Sequence, residues 1–254
     1  MLLDDIIANK RLEIEKFKGI DLARFAQKVD LPRDFFAAFP KNKLSLIAEV
    51  KKASPSAGLI CPAFDPVAIA KAYEQAGAAA ISVLTDEKFF QGKIDYLKTV
   101  KEAVSLPVLR KDFIIDEAQI YEARIAGADA VLLIARILKD AELIKFLCTA
   151  HELGMRALVE VHNAAELERV LNTDAKIIGI NNRDLDTLEI DLNNTLEIVK
   201  KYPQLKSRVL ISESGIKSRA EIEALRGVGI AGVLIGETLM KSPDISTKIK
   251  ELGL

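Results

Sequence analysis

Eight short runs of aliphatic and β-branched residues recur along the chain with amphipathic stretches between them, and this alternation restricts the possible folds more than any other feature. The runs are LSLIAEV (44–50), AAISVLT (79–85), LPVLRKD (106–112), ADAVLLIA (128–135), MRALVEV (155–161), AKIIGIN (175–181), RVLISES (208–214) and AGVLIGE (231–237). Between them, stretches such as DEAQIYEARIAG and KDAELIKFLCTAHELG place apolar residues at helical spacing and stop at Gly, which closes a helix at little steric cost. Strands alternating with helices build a parallel sheet from βαβ units.

Such a sheet can stay open or close on itself. AGAAAISVL, AGADAVLLI and VGIAGVLIG form a weak internal repeat in which a helix-ending glycine (Gly77, Gly127, Gly229) stands just ahead of a strand, at intervals of two and four βα units. Eight such units in 254 residues match a (β/α)₈ barrel. An open, doubly wound sheet is expected to carry a Gly-rich phosphate loop after its first strand, and KKASPSAG is not one. The sequence therefore predicts an α/β fold, a (β/α)₈ TIM barrel over 44–254, preceded by a helical extension over 1–43.

The odd-numbered strands share a pattern near their ends: Ile47 before Glu49, Leu109 before Lys111, Leu158 before Glu160, Ile211 before Glu213. Residues two apart lie on one face of a strand, and alternate strands of a barrel fill the same interior layer. A layer of aliphatics should thus be capped by Glu49, Lys111, Glu160 and Glu213, with Lys51 pointing the same way. Buried ions cost several kcal/mol each unless paired. Gathering three carboxylates and two ammonium groups at the barrel mouth fits acid–base chemistry, with pKa values pushed apart. The crowding also predicts that Glu160 is a strained group whose neutralisation would leave stability unchanged or raised.

The loops add two features. SESGI and IGETLM place Ser214, Gly215 and Gly236 after the last two strands, where barrels often hold a phosphate on backbone N–H groups. The loop after the first strand, with Pro55 and Gly58, reads as a structureless connection of about a dozen residues, a candidate lid. Thirty-six basic against 37 acidic residues give no general field for nucleic acid or an anionic membrane. No apolar run approaches the ~20 residues of a membrane span. Two isolated cysteines, Cys61 and Cys148, and two histidines, His151 and His162, offer no metal-ligand spacing. These features predict a cytoplasmic protein that binds a phosphorylated small molecule, without a metal site, as a monomer or small homo-oligomer.

IAEVKKASPSAG, VLRKDF, ADAVLLIARIL, LVEVH, IGINNRDLDTLEID, ISESGI and VLIGETLM occur in the order and spacing of one family, so that residues 44–240 resemble indole-3-glycerol phosphate synthase. The first 43 residues resemble that family's helical extension, which partly covers the barrel mouth. The resemblance implies conversion of 1-(2-carboxyphenylamino)-1-deoxyribulose 5-phosphate to indole-3-glycerol phosphate, with loss of carbon dioxide and water. It implies no cofactor or metal, and it implies roles. Lys111 is the general acid at the substrate carbonyl, Glu160 assists dehydration as base, and Lys51 contacts substrate and takes part in proton transfer. Glu49, Asn181 and Glu213 orient and tune these groups. Arg183 suits the anthranilate carboxylate, Phe90 and Phe113 flank its ring from loops, and Ser214, Gly215 and Gly236 cradle the phosphate. Glu237 stands where some relatives place a serine. Two rivals are a phosphoribosylanthranilate isomerase, expected to use a Cys/Asp pair, and a non-catalytic sugar-phosphate-binding barrel, expected to lack Lys111 or Glu160.

Overall fold

Each of the eight runs forms a parallel strand in the computed structural model, which describes residues 2–40 and 42–254; Met1 and Lys41, within the span read as the extension, lie outside the described residues. The strands are β1 (Ser45–Val50), β2 (Ala80–Leu84), β3 (Val108–Lys111), β4 (Ala130–Ile134), β5 (Arg156–Val161), β6 (Ile177–Asn181), β7 (Val209–Glu213) and β8 (Gly232–Ile235). Each pairs with the next, and β8 pairs with β1 with Gly232 opposite Ser45, so the barrel is closed and has no edge. The open doubly wound arrangement is thereby excluded.

Side-chain alternation sorts each strand between two cores. Ile47, Leu109, Leu158 and Ile211 face inward with Ala80, Leu132, Ile177 and Leu234. Their neighbours Leu46, Ala48, Val83, Val131, Val159, Ile178, Leu210 and Val233 face outward and are covered by helices. Burial on both faces is why these strands read as near-continuous apolar runs. Local capping fixes where the covering helices begin. Asp65 accepts from Val67 and Ala68 N–H ahead of Pro66–Gln75, and Asp116 with Gln119, like Ser218 with Glu221, forms a reciprocal capping box.

The extension does more than cover the mouth. Its first helix, α1 (Leu2–Glu13), lies at the mouth, while α2 (Leu22–Ala26) packs on the outer helix Glu117–Ile125. The chain then passes under the barrel, where Arg33 N–H donates to Asp129 Oδ1 at 2.6 Å. Phe35 and Phe39, both buried, meet edge to face at 5.3 Å and join the interior core at its N-terminal end, with the Phe39 ring beside Gly232. The loop after β1 also departs from its reading as structureless. Ala53–Ser54 pairs antiparallel with Gly58–Leu59, and Ser54 Oγ accepts from Ala57 N–H at 3.2 Å to close the turn. Gly58 supplies the left-handed residue that this turn needs (φ 64°). Two residues per strand are too few to leave a period in the sequence.

Candidate active site

Glu49, Lys111, Glu160 and Glu213 stand one layer above the inward aliphatics, at the C-terminal ends of β1, β3, β5 and β7. The Lys111 ammonium lies 3.1 Å from Glu160 Oε2 and 3.5 Å from Glu213 Oε2. Lys51 Nζ lies 2.5 Å from Glu49 Oε1. All five line a cavity of about 630 Å³ that also takes in Asn181, Arg183, Phe90, Phe113, Ser214, Gly215 and Gly236. The structure therefore brings every predicted site residue to one cavity. Two glycines make room for the carboxylates: a methyl group at Gly179 on β6 would collide with Glu213 Oε1, and one at Gly236 with Glu49 Oε1.

The charges are unequal. Burial works against the Lys111 charge, but Glu160, Glu213 and Glu49 outweigh it and hold the ammonium protonated, its pKa above the ordinary lysine value. Burial likewise opposes ionisation of Glu160, yet Lys111 and His162 keep it well below the usual carboxylate range. For Glu213, burial is only partly offset by Lys111 and is reinforced by Glu160, so its pKa is pushed up to about 8. Among the described residues, no donor stands within hydrogen-bonding geometry of either Glu213 oxygen. The crowding expected at Glu160 weighs instead on the charge of Glu213, whose pKa is raised while that of Glu160 is lowered. His162 explains part of the difference. Buried beside the site, it places Nε2 3.1 Å from Glu160 Oε1 and Nδ1 3.0 Å from Glu166 Oε2. Although burial disfavours its charge, bonds to these two carboxylates raise its pKa to about 9. His151 is exposed on the helix Asp140–Glu152.

The apolar side of the cavity is built from several elements. Phe90 ends a short helix, Glu87–Phe90, rather than lying in a loop, and its ring centroid is 6.1 Å from that of Phe113. Leu132 and Ile134 of β4 and Leu2, Leu3 and Ile6 of α1 also line the cavity. The α1 residues were not foreseen, because a short apolar spacing in a charged helix says nothing about which surface it meets. At the other end, Ser214 and Gly215 adopt left-handed backbones (φ 67° and 84°). For serine that conformation is uncommon and costs energy, a cost that recurs at binding sites. Asn181 Oδ1 accepts from Arg183 N–H at 3.0 Å, and Arg183 Nη1 donates to the Leu188 carbonyl at 3.1 Å. Glu237 turns toward Lys241, 2.6 Å away, and lies 3.8 Å from Arg183 Nη2.

The indole-3-glycerol phosphate synthase family model matches residues 3–252 of this chain. The chain belongs to that family. It is 50% identical over 258 residues to the indole-3-glycerol phosphate synthase of Acetivibrio thermocellus, covering 99% of this chain and 98% of that relative. With the enzyme of the same name from Desulforamulus reducens the identity is 49%, over 99% and 97% of the two chains. These alignments include the extension, so α1 is as much a part of the indole-3-glycerol phosphate synthase likeness as the barrel. Among solved structures, a 3-hexulose-6-phosphate synthase superposes with a TM-score of 0.65 at 17% identity, covering 82% of this chain and 98% of that one, a likeness of fold alone. Among the described residues, no helix is long and apolar enough to cross a membrane. Nor does any group of three or more His, Cys, Asp and Glu among them suit a metal ion.

Proposed function

We propose that this chain is an indole-3-glycerol phosphate synthase, a carboxy-lyase of tryptophan biosynthesis that closes the indole ring of 1-(2-carboxyphenylamino)-1-deoxyribulose 5-phosphate. Family membership supports the reaction, and one observation carries the assignment of roles: a protonated lysine, Lys111, held against two carboxylates of unlike pKa inside a cavity that Phe90 and Phe113 also line. In the first step the ring carbon bearing the carboxylate attacks the substrate carbonyl, and Lys111 gives its proton to the oxygen on which charge develops. Carbon dioxide leaves and its bonding electrons restore the aromatic ring. The hydroxyl formed from the carbonyl then takes a second proton, from Lys51, and departs as water, while the adjacent carbon yields a proton to Glu160 as base.

The remaining residues serve these steps. Lys51, paired with Glu49, contacts the substrate and takes part in proton transfer; Asn181, through its bond to Arg183 N–H, and Glu213 tune the neighbouring groups. Phe90 and Phe113 flank the anthranilyl ring and Arg183 meets its carboxylate. Backbone donors at Ser214, Gly215 and Gly236 take the phosphate, with the Glu237 charge drawn aside by Lys241. An isomerase with a Cys/Asp pair is disfavoured, since Cys61 and Cys148 both lie off the barrel strands. Two free thiols also agree with a reducing, cytoplasmic setting.

Incubation with the carboxyphenylamino-deoxyribulose phosphate should yield a fluorescent indole product; none between about pH 6 and 9 would rule the activity out. Lys111→Ala should lower kcat by about 10² to 10⁴, with KM changed less. Lys111→Arg keeps the charge but holds its proton. Wild-type kcat in that variant, with ring closure limiting, would reduce Lys111 to an electrostatic stabiliser.

A further inference from the structure

Lys10 is 1% exposed, which is rare for a side chain that ordinarily keeps its ammonium in water. It lies on the barrel-facing side of α1, one turn beyond Ile6, and the reaction as derived above does not use it. Its Nζ sits 2.8 Å from Glu13 Oε2 on the same helix, 2.9 Å from Asp86 Oδ2 and 2.8 Å from Asp112 Oδ1. Burial opposes its charge, but Asp112 and Asp86 more than compensate and keep it protonated.

What distinguishes this cluster from a plain ion-pair anchor is what the two aspartates hold. Asp86 is the N-cap of Glu87–Phe90, its Oδ1 accepting from Phe89 N–H at 2.7 Å and from Phe90 N–H at 3.2 Å. Asp112 Oδ1 accepts from Phe113 N–H at 2.8 Å, and Asp112 directly follows Lys111 in the chain. A single cation thus bridges the two carboxylates that set the backbones of the paired rings, while Ile6 of the same helix lines the cavity that both rings line. Asp112 has other support, from Thr85 Oγ1 at 2.5 Å and Arg110 Nη2 at 3.1 Å. Among the described residues, the buried Asp86 Oδ2 has no hydrogen-bond partner besides its ion pair with Lys10.

We propose that Lys10 is a positioning residue for aryl recognition: it locks α1 to Asp86 and Asp112 and so sets Phe90, Phe113 and Ile6 as one wall for the aromatic ring of the ligand. The proposal rests on the function proposed above. A merely structural lysine would lower stability when replaced and leave ligand selectivity alone. A positioning lysine weakens binding of ligands that carry the ring and spares those that do not.

The test uses the full chain, the carboxyphenylamino-deoxyribulose phosphate as substrate, and glycerol 3-phosphate as a ringless competitor. Lys10→Met should raise KM about tenfold or more while kcat falls by less than about threefold, with the glycerol 3-phosphate inhibition constant unchanged. Lys10→Arg should recover most of the loss. Asp86→Asn keeps an acceptor for the cap but removes the charge facing Lys10, and should raise KM in the same direction by a smaller factor. Arg124→Met, which loosens the extension where Arg124 Nη2 donates to the Val29 and Asp30 carbonyls, should lower Tm and leave KM alone. An unchanged KM in folded Lys10→Met, an equal rise in Arg124→Met, or a parallel loss of glycerol 3-phosphate binding would overturn the proposal. If Lys10→Met fails to fold, Asp86→Asn decides, and wild-type KM there overturns it. Absence of turnover in the unsubstituted protein would instead defeat the underlying activity.

Discussion

Two carboxylates face Lys111 at the barrel mouth, and the company each keeps decides its chemistry. Glu160 has Lys111 on one oxygen and His162 on the other, both at 3.1 Å, and stays ionised. Glu213 has the longer, 3.5 Å approach of Lys111 and the negative charge of Glu160 beside it, so that burial pushes its pKa up to about 8. The stability consequence has a definite sign. A carboxyl whose folded pKa is raised from 4.5 to about 8 holds a proton that the unfolded chain has already released across that interval. Its contribution is therefore intact below pH 4.5 and is lost as pH rises through 8. Glu213→Gln should remove that loss. Its Tm should exceed the wild-type value at pH 9, by an amount corresponding to about 0.5 to 2 kcal/mol, and the gap should close toward pH 5. Scanning calorimetry at pH 5, 7 and 9 measures this, and a gap independent of pH would show that Glu213 carries no raised pKa. Glu160→Gln, by contrast, breaks a satisfied buried pair and should destabilise.

At the scale of strands and helices, the sequence discloses whatever repeats with a period. Two-residue alternation placed Glu49, Lys111, Glu160 and Glu213 on the interior face, since one strand's side chains can point only two ways. Contacts between distant segments leave no such trace. Lys10 and Asp86 are read locally as a surface lysine and a loop acid, and only the docking of α1 makes them partners. His162 was visible as a neighbour of Glu160, but its bridge to Glu166 depends on the first turn of the helix Ala164–Leu171. Gly179 shows how a strand residue can be chosen for its neighbour. In a strand, Gly→Ala ordinarily gains about 0.5 to 1 kcal/mol. Here the added methyl meets the Glu213 carboxylate, so Gly179→Ala should push that group off Lys111. We expect kcat to fall about tenfold or more, with Tm changed by only a few degrees. Wild-type kcat in this variant would mean that the position of Glu213 is immaterial to turnover.

For the molecule as a whole, the extension acts at both ends of the barrel, and its two halves should fail differently when removed. Residues 2–17 contribute Leu2, Leu3 and Ile6 to the cavity and Lys10 to the pair of aspartates. Phe35 and Phe39, further on, fill the interior at the opposite end, beside Gly232 and among Ile47, Leu158 and Ile211. Losing one buried phenylalanine costs about 3 to 5 kcal/mol, so losing both approaches the ~5 to 15 kcal/mol that holds a protein folded. Water would also enter a barrel floor lined by aliphatics. Deletion through residue 17 should thus leave a cooperatively folding barrel with a lower Tm and a KM raised about tenfold or more. Deletion through residue 43 should abolish the cooperative thermal transition or make the chain aggregate. Circular dichroism melts of both truncations, with steady-state kinetics on the shorter deletion, separate the roles. A longer deletion that melts cooperatively near the wild-type temperature would show that the barrel closes its own floor and that Phe35 and Phe39 are passengers.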